Sequence, residues 1–302
     1  MNRLKDEVLQ KIRERLGEEA VLLDEPMARH TSMKVGGPAA YFFQPSSEED
    51  LLFLLQELQA ESFPYYIKGN GSNLLFRDEG YDGAVIEIRT MQNVAIEGDV
   101  VCAEAGILLK DLSALIEEAS LTGFEFASGI PGSLGGAVCM NAGAYDGEMK
   151  DIIRSVRLLT KEGKILEKSG EEMGFAYRRS ICSAGDYIVL SATLKLAKGD
   201  RRAIRDKIAD LTRRREEKQP LEYPSCGSVF KRPEGYFAGK LISDAGLKGY
   251  RIGGAQVSEK HAGFIINTGG AKAQDVLDLI AYVQKKVLEE SGVSLECEVR
   301  IL

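Results

Sequence analysis

Leu4, Val8, Ile12 and Leu16 recur every four residues through MNRLKDEVLQKIRERLGEEA, a spacing that predicts an amphipathic helix docked by one face. YFFQP (41–45) predicts a short strand, and SSEEDLLFLLQELQAE (46–61) a helix opened by a capping box of Ser46 with Glu49. YYIKGNGSNLLF runs from a strand into a glycine turn, and VIEI (85–88), VAIEG (94–98) and VVCAEAG (100–106) predict further strands. DLSALIEEASLTG (111–123) has helical spacing, and IIRSVRLLTKEGKILEKS (152–169) predicts a hairpin turning at Glu162–Gly163. The alternation in YIVLSATLKLAK (187–198) predicts a long strand in a mixed sheet with one better-buried face.

The composition changes at GDRRAIRDKIADLTRRREEKQP (199–220), a strongly charged helix stopped before Pro220, and a domain boundary is expected there. Beyond it AGKLISDAG (238–246) predicts a short helix and FIIN (264–267) a strand. AKAQDVLDLIAYVQKKVLEESG (271–292) predicts a helix closed by Gly292, and LECEVRIL (295–302) a last strand. The order predicts an α+β protein, with 1–200 as a first domain and 201–302 as a smaller second one.

A chain of 302 residues has room for two cores that need no disulfides. Apolar residues at 44% and charged ones at 28% describe a soluble globular protein, and no run approaches the roughly eighteen apolar residues of a spanning helix. The net charge of -7 argues against a nucleic-acid partner, although local cations can still hold an anionic small ligand. Five scattered cysteines without CxxC spacing predict reduced thiols in a cytoplasm and no zinc site. Two histidines, His30 and His261, are too few for a histidine-rich metal centre, so no metal is expected. The charged N-terminal stretch lacks the apolar core of an export signal.

The candidate chemistry lies in two glycine-rich stretches. In GNGSNLLF (69–76), Gly69 and Gly71 would let the backbone take positive φ and approach a ligand, with successive amides forming an anion-binding nest. Leu74 stands where a GxGxxG fingerprint needs glycine, and no P-loop occurs anywhere. Taken alone, the stretch serves equally well as a tight β-turn with Asn70 and Asn73 as turn formers. GIPGSLGGAVCMNAGAYDGE (129–148) holds six glycines and no Lys or Arg. Together the two loops suggest one large ligand whose phosphates meet backbone N–H groups and the hydroxyls of Ser72 and Ser133.

TSMKVGGPAAYFF (31–43), GNGSNLLF, GIPGSLGGAVCMNAGAYDGEM (129–149), YRRS (177–180), PSCGSVFKRP (224–233), AGKLISDAGLKGYRIGGAQVSEKHAGFIIN (238–267) and LECEVRIL resemble, in order, the UDP-N-acetylenolpyruvoylglucosamine reductases. The resemblance implies an FAD-binding domain of the p-cresol methylhydroxylase and vanillyl-alcohol oxidase type, made of two α/β subdomains at about 1–78 and 79–200, followed by an α+β substrate domain. It implies non-covalent FAD cradled by Gly69, Asn70, Gly71, Ser72, Asn73, Gly129, Pro131, Gly132, Ser133, Gly136, Ala137, Asn141 and Gly143. It further implies NADPH and a UDP-sugar as substrates, in a cytoplasmic monomer that makes peptidoglycan precursors.

In that chemistry a hydride reaches the enolpyruvyl group, and the site needs a cation at the substrate carboxylate and a proton donor. Arg178 matches the carboxylate-polarising arginine, the alternative being a surface arginine in a charged turn. Ser228 matches the serine that protonates the substrate carbon; without the resemblance it is a turn serine. Period-two spacing puts Leu295, Cys297, Val299 and Ile301 on one face of the last strand and Glu296, Glu298 and Arg300 on the other, and Glu298 matches the catalytic glutamate. Tyr177, Arg214, Lys218 and His261 are expected to line the substrate, against the alternatives of a solvated helix face for the cations and a structural role for the histidine. The chain lacks the inserted tyrosine loop of longer members, as in the shorter subclass. A flavin oxidase of the same fold, for which His30 and Cys139 are the candidates for covalent attachment, and a non-catalytic flavin or nucleotide binder are the alternative functions.

Overall fold

A computed structural model describes residues 3–302, and the chain forms two compact units that are each discontinuous in sequence. Of the described residues, the first comprises 3–22, 41–70 and 83–214, the second 23–40, 71–82 and 215–302. Segments 23–40 and 71–82, assigned by sequence to the first domain, thus pack in the second unit.

In the first unit, helix α1 (Asp6–Leu16) buries Val8, Leu9 and Ile12 and packs on α2 (Glu48–Ala60). The cap of α2 is Ser47, whose Oγ accepts the Asp50 N–H at 3.1 Å. Ser46, the expected cap, instead donates to the Asp50 carboxylate at 2.9 Å. The strands Tyr65–Lys68 and Tyr81–Glu87 pair in parallel, with Lys68 opposite Glu87, so the first sheet reaches past residue 78. Five strands form the second sheet, in the order 165–169, 153–160, 187–195, 100–104 and 94–97. Every pairing in it is antiparallel, so the expectation of a mixed sheet around 187–195 is corrected. Val189 to Ala192 are buried without a break, because both faces of this central strand are covered; α4 (Leu134–Cys139), a short helix inside the glycine loop, packs against it. Helix α3 (Leu109–Glu118) stops four residues before Thr122, and α5 (Arg201–Lys218) is the expected charged helix.

In the second unit an antiparallel sheet runs in the order 225–228, 264–267, 255–257 and 251–252. Against it lie α6 (Ala238–Asp244) and α7 (Ala273–Ser291), whose Val276, Leu279, Ile280, Val283 and Val287 form a buried stripe. Gly292 ends α7 in a left-handed conformation with φ 69°. Segments 23–40 and 71–82 belong here for two physical reasons. Met33, Val35 and Leu75 are buried in the same core, and the Asp78 carboxylate caps α7 by accepting the Ala273 and Gln274 N–H groups at 2.8 and 2.9 Å. Of the expected last strand Arg300–Ile301 pairs, in parallel, with Leu74–Leu75, and Cys297 forms a single antiparallel bridge with Phe230. Leu295 and Val299 are buried as the alternation requires, but Ile301 is exposed. Among the described residues no helix is long and apolar enough to cross a membrane.

Candidate active site

In the first unit the two glycine-rich stretches meet. The Asn70 amide donates to the Pro131 carbonyl at 2.7 Å, and Arg89 donates to the Asn70 Oδ1 at 3.0 Å. A Cβ at Gly69 would overlap Ser133 Oγ, so glycine is what lets the strand end approach the start of α4. Just before it, buried Lys68 pairs with Glu87, which also accepts from Gln44 at 2.9 Å. Burial pushes the Lys68 ammonium below its ordinary 10.5, against the pull of that carboxylate.

Ser133 is the N-cap residue of α4, but its hydroxyl caps nothing; it is buried and has no hydrogen-bond partner among the described residues. Buried hydroxyls are rarely left so. The orphan oxygen at a helix start beside Gly69 fits an anionic ligand such as the pyrophosphate of FAD. Ser133 is the residue that would hold it, with Gly69 and Gly136 leaving the space beside its hydroxyl free of side chains.

The second half of the long loop does something else. The Asn141 side chain is fully buried and its amide is engaged within the protein: Nδ2 donates to Glu148 Oε2 at 2.6 Å and to the Ala176 carbonyl at 3.2 Å, and Oδ1 accepts the Lys150 N–H at 2.9 Å. Gly143–Ala144 and Gly147–Glu148 pair as a small hairpin whose turn residues, Tyr145 and Asp146, both take left-handed φ, 52° and 67°. The Arg178 guanidinium reaches the Gly143 carbonyl at 3.4 Å. Arg178 itself sits in a two-residue turn closed by paired hydrogen bonds between Ala176 and Arg179, at φ 53°, with Tyr177 exposed beside it and its ring 5.1 Å below the guanidinium.

Gly71, at φ 68°, alone of the first two glycines takes the left-handed conformation expected of both. Its missing Cβ is required by the His30 carbonyl within the second unit, so a bulky residue there would disturb the protein's own packing before any ligand. Asn73 holds the last segment: its Nδ2 donates to the Glu298 carbonyl at 3.0 Å, and its carbonyl accepts the Arg300 N–H at 3.1 Å.

Ser228 ends an irregular strand, after Gly227 at φ 75°, and pairs with Phe264. The next residue, Val229, donates its N–H to the Gly263 carbonyl at 2.9 Å and accepts the Glu298 N–H at 2.7 Å. Ser228 and Glu298 therefore lie on neighbouring stretches of one unit. Glu296 points elsewhere, exposed and paired with Lys231. His261 Nδ1 accepts the Gly263 N–H at 3.1 Å, leaving the ring proton on Nε2, and burial lowers its pKa. Lys218 is exposed in the second unit, whereas Arg214 belongs to the first and pairs with Asp210 at 2.7 Å. Nε2 of His30 pairs with Glu25 at 2.9 Å, and Cys139 turns its carbonyl to the Ser180 and Ser183 hydroxyls at 2.8 and 3.0 Å.

Sequence reasoning did not single out Arg89, for which no signal exists, or the helix inside the glycine loop. For α4 the signal was present: a serine followed by Leu134, Ala137 and Val138 at helical spacing.

Residues 39–169 of this α+β chain match the FAD binding domain family, which places it in a nucleotide-cofactor class. Residues 219–302 match the C-terminal domain of UDP-N-acetylenolpyruvoylglucosamine reductase. The UDP-N-acetylenolpyruvoylglucosamine reductase of Clostridium perfringens is 54% identical over 94% of this chain and 94% of its own length. That of Caldanaerobacter subterraneus is 52% identical over 98% of both. A crystal structure of the reductase from Thermus caldophilus, 38% identical, superposes with a TM-score of 0.79 over 93% of this chain and 97% of that one. The chain belongs to the UDP-N-acetylenolpyruvoylglucosamine reductase family.

Proposed function

We propose that this chain reduces the enolpyruvyl group of UDP-N-acetyl-3-O-(1-carboxyvinyl)glucosamine with NADPH, giving UDP-N-acetylmuramate for peptidoglycan precursors. Family membership over nearly the whole chain supports the reaction. Bound FAD, held without a covalent bond, supplies the hydride that it takes from NADPH. The orphan hydroxyl of Ser133 and the glycine-walled start of α4 support its pyrophosphate site.

The protein's own groups manage charge and proton. Arg178 gives its planar guanidinium to the substrate carboxylate, where negative charge grows as the double bond is reduced. Ser228 delivers the Oγ proton to the carbon that bears that carboxylate, and Glu298 is its acid–base partner on the next stretch. The observation that carries this assignment is Val229, which accepts the Glu298 amide on one side and donates to Gly263 on the other, so that the two groups share one rigid frame. Tyr177, His261, Lys218 and Arg214 line the UDP-sugar; Arg214 must exchange Asp210 for phosphate to do so. The five free thiols accord with a reducing cytoplasm, and we take the chain as a monomer there.

Ser228→Ala tests the assignment. The variant is expected to be reduced by NADPH within about 2-fold of the normal rate and to pass its electrons to substrate about 10²-fold more slowly. Equal slowing of both half-reactions would make Ser228 a structural residue.

A further inference from the structure

Three positions of the glycine loop, two residues apart, each grip one point of the segment that carries Arg178. The Cys139 carbonyl accepts the Ser180 and Ser183 hydroxyls at 2.8 and 3.0 Å. The Asn141 amide donates to the Ala176 carbonyl at 3.2 Å, and the Gly143 carbonyl accepts from the Arg178 guanidinium at 3.4 Å. Asn141 is the only side chain in this set that the loop contributes; the other two contacts use its backbone.

Two features show that the Asn141 contact is built. Its carboxamide is wholly buried with both ends engaged, Nδ2 also on Glu148 at 2.6 Å and Oδ1 on the Lys150 N–H at 2.9 Å, which sets the orientation of the amide. Its backbone lies at φ 44°, a conformation that asparagine tolerates better than most residues. The turn it holds is itself strained, because Arg178 is a non-glycine residue at φ 53°. A turn of that kind keeps its geometry only when its surroundings impose it, and Asn141 fastens the carbonyl of Ala176, two residues before the arginine.

We propose that Asn141 is a positioning residue for Arg178: it sets the turn so that the guanidinium is presented in one place, and it couples the glycine loop to the group that polarises the substrate carboxylate. The inference rests on the assignment of Arg178 made above. A displacement of about 1 Å in such a group can cost about 10²-fold in rate. The loss falls on substrate reduction alone, because flavin reduction by NADPH does not use the substrate carboxylate.

The test is a double-mutant cycle on the FAD-loaded protein, read as the two half-reactions. Asn141→Gly keeps the left-handed backbone while deleting the amide, and Asn141→Asp, made together with Glu148→Gln so that no two carboxylates meet, keeps the shape while deleting the donor to Ala176. Each is expected to retain FAD and to be reduced by NADPH within about 2-fold of the normal rate. Each is expected to slow substrate reduction about 10- to 100-fold. Asn141→Gly combined with Arg178→Ala is expected to be no slower than Arg178→Ala alone. Multiplied losses in the double variant, or equal slowing of both half-reactions in the single ones, would overturn the positioning role. If Arg178→Ala itself left substrate reduction intact, the assignment of Arg178 would fall, and this inference with it. Should Asn141→Gly not fold, Asn141→Asp decides by the same criteria.

Discussion

Gly263 shows how one missing side chain shapes the surroundings of Ser228 in the second unit. A Cβ there would lie 3.0 Å from the His261 ring and 3.7 Å from Ser228 Oγ, so both groups border the same small space. His261 is held neutral in it: burial lowers its pKa from 6.5, and Nδ1 is fixed as an acceptor by the Gly263 N–H. The unfolded chain then binds a proton that the folded chain refuses between the lowered folded value and 6.5. Stability contributed by the neutral ring is present above 6.5 and is lost as the pH falls through that window. His261→Gln, which cannot protonate, is expected to lose less stability than the parent when denaturant midpoints are compared from neutral pH downward. Parallel curves would mean that His261 titrates normally. At this scale sequence spacing separated Glu298 from Glu296 only by analogy, whereas the structure separates them by environment, with Glu296 exposed against Lys231 and Glu298 half-buried. The asparagines were harder still: Asn70, Asn73 and Asn141 stood out as ligand groups, the first two equally as turn formers, and each amide also makes a hydrogen bond within the protein. No local pattern tells a turn asparagine that binds a ligand from one that binds its own backbone.

Helix α4 carries the prediction at the level of elements. Its first two amides are already taken, Leu134 N–H by the Ile107 carbonyl at 2.9 Å and Gly135 N–H by Ala105 at 2.8 Å, while the Ser133 hydroxyl is left over. A buried hydroxyl without a partner costs the apoprotein desolvation, which a phosphate at the proposed cofactor site would recover. Ser133→Ala is therefore expected to leave the apoprotein as stable as before, or slightly more so, in thermal unfolding. FAD binding is expected to weaken about 10- to 100-fold, the worth of one hydrogen bond to a charged group. Unchanged FAD affinity would remove Ser133 from the cradle. The hairpin at 143–148 was invisible beforehand, because Tyr145 and Asp146 lack the Asn-Gly signature of their turn. The regular elements were legible where apolar spacing was long, as in α2 and α7 and the hairpin of 153–169, and α5 was legible from its run of charge ending at Pro220. The last strand was legible in its buried positions but not in its length, since its partner is the short Leu74–Leu75 pair, more than two hundred residues away in the chain.

Across the whole molecule the order of elements was readable and the grouping of segments was not. A cut near residue 200 follows the composition, yet Met33, Val35, Leu75 and Asp78 serve the core and the helix cap of the C-terminal unit. Such long-range partners leave no trace in local periodicity. The proposed reaction is a two-stage transfer of electrons through FAD. The measurement that reaches it most directly is an anaerobic stopped-flow trace of flavin absorbance in the purified holoenzyme, with NADPH added first and the enolpyruvyl UDP-sugar second. Bleaching by NADPH and then recovery of the oxidised flavin by the sugar alone are expected. A flavin that stays reduced until oxygen is admitted would contradict the two-stage transfer and point to an oxidase of the same fold.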